Sequence, residues 1–219
     1  MSEQAKRILC FGDSLTWGWV PRADAPPSPR YAFAQRWPGV MAAALGAGYE
    51  IIEEGLNGRT TCIADPLDPK LDGSAYLPAA LASHMPLDLV IIMLGTNDCK
   101  RLYNRSAFEI AVGMQKLVLQ VRASGVGSAY PAPRTLVVAP PPLAASAVPW
   151  FAQMMEGGQP KSLALAALYK DMADFMKVAF FDAGGVTATG GVDGIHLTAE
   201  NNAAIGQALA GEVRRLNLI

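Results

Sequence analysis

The run Leu89-Val90-Ile91-Ile92-Met93-Leu94 has no polar face. It is too short for an ordinary helix and reads as a strand buried on both sides. Such strands belong inside parallel sheets whose two faces are covered. With Leu87 as its outer limit (Leu87–Leu94), it is one of five apolar runs; the others are Ile8–Phe11, Tyr49–Ile52, Thr135–Ala139 and Val178–Asp182. Between them, helical spacing predicts helices near Trp37–Leu45, Ala107–Ala123, Lys161–Met176 and Thr198–Leu216. The last has Thr198 as its N-cap and Ala203, Ile205, Leu209 and Val213 as its buried stripe. Strands alternating with helices give an α/β fold with a parallel sheet layered by helices. A length of 219 residues suits a single domain over 1–219. Two proline-rich segments, near 64–86 and 140–160, interrupt the alternation and read as loop insertions. The second carries Trp150, Phe151, Met154 and Met155. It is expected to wall a pocket or to pack on another subunit.

Hydrophobic residues make up 51% of the chain and charged residues 17%. The latter is well below the roughly 25% of ordinary soluble domains. The excess apolar surface points to a pocket or a subunit interface, so a homo-oligomer is expected. A net charge of −1 gives no reason to expect nucleic acid or an anionic membrane as partner. No apolar run reaches the 18 or so residues of a membrane span. Met1–Arg7 contains no apolar core of a signal peptide. Cys10, Cys62 and Cys99 are odd in number and lack CxxC spacing, which reads as reduced thiols in a cytoplasmic protein. With two scattered histidines, they do not suggest a metal site.

The chemistry begins where the first run stops, at Gly12-Asp13-Ser14. Gly12 permits a sharp turn, and Asp13 and Ser14 suit a turn or a helix N-cap. A serine between a strand end and a helix start sits where open α/β sheets hold ligands. On this stretch alone, Ser14 is a cap or a nucleophile. A nucleophilic serine needs a base with an orienting partner. His84, in the proline-rich segment, reads as structural. His196 follows Asp193 by three residues on the loop before the last helix, so one short turn brings the carboxylate to the ring. Gly58 and Asn97 lie just past the second and third strands. The Gly58 N–H, the Asn97 amide and the Ser14 N–H form a candidate oxyanion hole. The plainer alternatives are a left-handed Asn57-Gly58 turn and an Asx turn at Asn97. Trp17 and Trp19 are either an apolar wall of the site or ordinary core.

Four blocks in this order, Gly12-Asp13-Ser14-Leu15, Gly58, Gly95-Thr96-Asn97-Asp98 and Asp193-Gly194-Ile195-His196, resemble the SGNH (GDSL-type) hydrolase superfamily. The resemblance implies a flavodoxin-like three-layer sandwich with five parallel strands. It also implies Ser14 as nucleophile, His196 as base, Asp193 as its partner, and Ser14, Gly58 and Asn97 as the oxyanion hole. Phe11–Trp19, Glu53–Thr61 and Met93–Asp98 are similar to the bacterial arylesterase/acyltransferase branch, which includes oligomeric enzymes. Asp13, Trp19, Trp150, Phe151 and Ile195 are the candidates for substrate contact. One departure is Glu53, where many members have Asn; that position should support the turn. The expected activity is hydrolysis of small esters, short-chain acyl or aryl, without metal or cofactor. Acyl transfer to alcohols or peroxide is the alternative. A flavodoxin-like binding module is remote, because neither GxGxxG nor GxxxxGK[ST] is present. A carbohydrate esterase is disfavoured by the Trp, Phe and Met content.

Overall fold

The strands β1 (Lys6–Gly12), β2 (Tyr49–Gly55), β3 (Leu89–Met93), β4 (Arg134–Ala139) and β5 (Ala179–Asp182) form one parallel sheet in the order β2-β1-β3-β4-β5. The computed structural model describes residues 5–23, 29–189 and 192–218; the first four residues of the N-terminal stretch lie outside them. All five residues of β3 are fully buried, as its two-sided apolar sequence requires. Register puts Gly12 opposite both Gly55 and Met93, so three strands end at one level. The strand order reverses between β1 and β3. That is the switch point at which an open α/β sheet leaves a crevice past its carboxyl edge.

The helices are α1 (Ser14–Trp17), α2 (Trp37–Leu45), α3 (Gly73–His84), α4 (Ala107–Arg122), α5 (Pro149–Met154), α6 (Gly158–Met176) and α7 (Ala199–Leu216). Alternation along the strands sorts the core into two layers. Leu9, Phe11, Val90 and Ile92 face α3, α4 and α6, while Ile8, Cys10, Ile91 and Met93 face α2 and α7. Among the described residues no helix is long and apolar enough to cross a membrane.

Three local expectations are corrected. The 64–86 segment is not all loop, since α3 occupies its second half despite Pro78. The Ser74 carbonyl, which would have accepted from residue 78, accepts instead from Gln120 Nε2 at 2.7 Å. Asp72 caps the helix through Ser74 N at 2.9 Å, and Leu77, Ala80 and Leu81 bury its inner face. That tertiary hydrogen bond offsets the usual penalty of an internal proline. Likewise the 140–160 segment holds α5, and α6 starts at Gly158 rather than Lys161. In α7, Thr198 caps the helix as expected, but Ala203 is exposed. The buried stripe is Asn202, Ile205, Gly206, Leu209, Ala210 and Val213.

Two of those residues had no apolar signal because they serve the crossing of α7 with α2. Asn202 Oδ1 accepts from Trp37 N at 3.0 Å. A Cβ on Gly206 would lie 2.6 Å from Val40 Cβ and 2.7 Å from Trp37 O. Gly206→Ala is therefore expected to push the helices apart and cost about 1–3 kcal/mol. Thermal melting reads this directly, and an unchanged Tm would contradict the close crossing.

Candidate active site

Asp13 is the N-cap of α1, with Oδ1 accepting from Leu15 N at 2.9 Å. Ser14 is the first helical residue, so its hydroxyl is not spent on capping. Gly12 is required for a reason other than the turn. Its φ is not left-handed; a Cβ there would lie 2.0 Å from Thr16 Oγ1 and 3.0 Å from Met93 O. The chain between β1 and α1 is pressed against β3 at that point.

The loop after β5 brings Asp193 and His196 to Ser14. His196 Nδ1 donates to Asp193 Oδ2 at 2.8 Å, and Ser14 Oγ lies 3.0 Å from His196 Nε2. The carboxylate accepts, so the neutral ring carries its proton on Nδ1, and Nε2 is left to accept from the serine hydroxyl. Asp193 Oδ1 accepts from Ile195 N and His196 N, each at 2.9 Å. Burial pushes the Asp193 carboxyl up. The His196 ring bond, the His196 charge and the two backbone N–H groups outweigh this and hold it below its usual value. All three side chains are buried.

The loop is pinned in turn by 144–147, where Ala144 N donates to Gly194 O at 2.8 Å and Ala147 N to Val192 O at 2.9 Å. Gly194 has φ +66°, and a Cβ there would lie 2.5 Å from Ala144 O. Gly194→Ala is expected to shift the loop that carries Asp193 and His196 and lower kcat by about 10²-fold, since misplacement near 1 Å has that effect. Steady-state kinetics on the folded variant checks this.

The candidate oxyanion donors come from three strand ends. Among the described residues, the Ser14 and Gly58 amides donate to no protein acceptor. Gly58 has φ +86°, the left-handed turn foreseen for Asn57-Gly58. Asn97 differs: Nδ2 donates to Asp13 Oδ2 at 3.2 Å and to Arg59 O at 3.1 Å. Its amide therefore spans all three loops.

Residues to which the sequence assigned no role lock this arrangement. Buried Asp98 accepts from Thr61 N at 2.9 Å, Thr61 Oγ1 at 2.6 Å and Arg105 Nη1 at 2.8 Å. Burial raises its carboxyl, and these donors offset the rise in part. Arg59 Nη1 donates to Gly12 O at 2.9 Å and to Glu54 O, with its guanidinium 4.1 Å from the Phe11 ring. No spacing rule connects Thr61 with Asp98. The available signal was a charged residue, Asp98, directly after the apolar run of the third strand and the uncharged Gly95-Thr96-Asn97 turn.

The candidates for substrate contact divide. Trp19 stacks on the His196 ring at 5.1 Å, and Phe151 meets it edge-on at 6.1 Å. Ile195 is instead buried in the layer beneath α4 and α6. Asp13 is wholly buried, with both carboxylate oxygens engaged, so it lies under the cleft rather than in it. Burial raises its carboxyl to about 7; Asp98 adds to the rise, while the Leu15 N–H, Arg59 and Lys100 oppose it. Trp150 is 73% exposed and lines a separate cleft of about 600 Å³ with Leu67, Lys100, Leu102 and Met154. His84 contacts Glu54 Oε1 at 2.9 Å. Glu53 binds Arg36 through both oxygens, at 2.9 and 2.6 Å, and so anchors the segment before α2.

A Ser-His-Asp relay at the carboxyl edge of a doubly wound parallel sheet defines a serine hydrolase. The chain belongs to the GDSL-like lipase/acylhydrolase family, whose sequence model matches residues 10–204. It is similar in structure to Est24, a carbohydrate acetylesterase from Sinorhizobium meliloti, at 59% identity and TM-score 0.95, covering 96% of this chain and 99% of that one. It is equally similar to the M. smegmatis aryl esterase, at 59% identity and TM-score 0.95, covering 97% and 100%. A putative arylesterase from Agrobacterium tumefaciens str. C58 is 43% identical with TM-score 0.85, covering 96% and 99%. Curated proteins gave no significant match. The family and these neighbours make the chain a carboxylic ester hydrolase.

Proposed function

We propose that this chain hydrolyses small carboxylic esters, short-chain acyl or aryl, through an acyl-Ser14 intermediate. The observation that carries this is the relay from Asp193 Oδ2 through His196 to Ser14 Oγ, set beside the free amides of Ser14 and Gly58. His196 takes the Ser14 proton as Oγ attacks the ester carbonyl. The Ser14 and Gly58 N–H groups and the Asn97 amide hold the oxyanion. Asp193 stabilises the imidazolium, which then protonates the departing alcohol. Water, activated by the same ring, releases the acid.

Sugar acetates belong within this reading. The sequence argument against a carbohydrate esterase rested on apolar content, yet Est24 is as close to this chain as the aryl esterase is. A second reading, acyl transfer to alcohols or peroxide, is favoured by the Trp19 and Phe151 rings against His196. There an alcohol competes with water for activation.

The test is p-nitrophenol release from p-nitrophenyl acetate beside acetate release from an acetylated sugar, with and without added alcohol. Turnover of either acetate supports the esterase. Alkyl acetate formed at the expense of acetate promotes acyl transfer. Inertness toward both acetates overturns the reading. The exposure of Leu67, Phe108, Trp150 and Phe175 supports a homo-oligomer, which light scattering at micromolar concentration checks. The three unpaired cysteines support a reducing compartment such as the cytoplasm.

A further inference from the structure

Asn97 has no N–H to spare. One amide hydrogen goes to Asp13 Oδ2 and the other to Arg59 O. A carbonyl oxygen becoming an oxyanion must share one of them. The Arg59 contact is backbone on a loop fixed by the Arg59 side chain and by Thr61 on Asp98, so it sets one edge of the amide. The other edge is set by a single carboxylate. That carboxylate is itself immobile, because Asp13 is wholly buried and its other oxygen caps α1 at the very turn that carries Ser14. The nucleophile and the third oxyanion donor are thus referenced to one side chain.

We propose that Asp13 is a positioning residue of the oxyanion hole: its carboxylate aims the Asn97 amide at the oxygen held by the Ser14 and Gly58 N–H groups. The N–H directed at Asp13 becomes a three-centre bond, shared with the substrate oxygen in the transition state. Without Asp13, Asn97 keeps one anchor and turns about its terminal torsion, where rotamer preferences are weak. Asp13 touches no substrate atom, so its loss acts on kcat and leaves KM in place. This rests on the serine-esterase reading.

Asp13→Ser keeps a side-chain cap for Leu15 N but is too short to reach Asn97. Asp13→Asn keeps the length but presents an N–H2 to one of its two partners. With p-nitrophenyl acetate, both are expected to lose about 10-fold or more in kcat with KM within about twofold, the scale of one misdirected charge-assisted donor. Asn97→Ala is expected to lose about 10²–10³-fold. In the Asn97→Ala background, Asp13→Ser is expected to cost almost nothing further, because a residue that acts through Asn97 has nothing left to aim. Melting curves for every variant register any folding defect, and Asp13→Asn carries the test if Asp13→Ser does not fold.

Wild-type kcat in a folded Asp13 variant overturns the proposal. So does a loss that adds fully to that of Asn97→Ala, which marks a plain structural role, or a rise in KM at constant kcat, which marks substrate contact. Failure of the underlying reading looks different: Ser14→Ala retains activity, or wild type has none.

Discussion

Ser14→Ala is expected to lower kcat/KM for p-nitrophenyl acetate by about 10⁴–10⁶-fold while the fold survives. The hydroxyl is 3.0 Å from His196 Nε2 and is not the cap of α1, a task that falls to Asp13. Its removal costs no helix cap and leaves a void of one small atom, so the Tm should move by only a degree or two. His196→Ala should fall by a similar factor, and the double variant by hardly more, since the two groups act as one unit. The residual rate over water would come from the free Ser14 and Gly58 amides. A Ser14→Ala protein with even a tenth of wild-type activity would place the nucleophile elsewhere.

Asp193→Asn is expected to lower kcat by about 10⁴-fold. The reason lies in which oxygen does what. Oδ1 already accepts two backbone N–H groups, from Ile195 and His196. An asparagine would keep its oxygen there and turn its N–H2 toward His196 Nδ1. That ring nitrogen must then accept, the proton moves to Nε2, and Ser14 faces a donor in place of a base. The same carboxylate predicts a pH dependence of stability. Its folded pKa lies below its usual value, so between the two values the folded state binds fewer protons than the unfolded. Its stabilising contribution is complete above the unfolded value of about 3.9 and is lost as pH falls through the folded one. The Tm gap between wild type and Asp193→Asn should therefore be constant above about pH 5 and close below pH 4. A gap that persists through acid would show that the carboxylate's charge is not what holds the loop.

The strand pattern, the switch-point serine and the Asp193–His196 pair were legible because each is written in neighbouring residues. Two-sided apolar runs encode buried parallel strands, and three residues suffice to turn a carboxylate onto a ring. Asn57-Gly58 likewise encodes its own left-handed turn. The failures share a different cause. Pro78 argued against α3 until Gln120, 46 residues away in sequence, satisfied the orphaned Ser74 carbonyl. Ala203 fitted a stripe, but the helix turns its Gly206 and Asn202 to α2, because close backbone approach favours a small residue and a bonded amide over apolar bulk. Asp13 carried the polarity of a ligand contact, and burial made it a fixture beneath the site.

By itself, then, the sequence determined the parallel sheet and the closeness of Asp193 to His196, since local spacing and hydrophobic period act over a few residues, while the family was legible only through the resemblance of four short blocks in order. Only the tertiary structure decided how the loops after β1, β2 and β3 are held together. The Asn97 amide joins Asp13, 84 residues away, to Arg59, 38 residues away, and Asp98 reaches Thr61 across 37. These are hydrogen bonds between buried polar groups whose partners are chosen by the packing of three strand ends, and no periodicity along a chain records which buried donor will meet which acceptor.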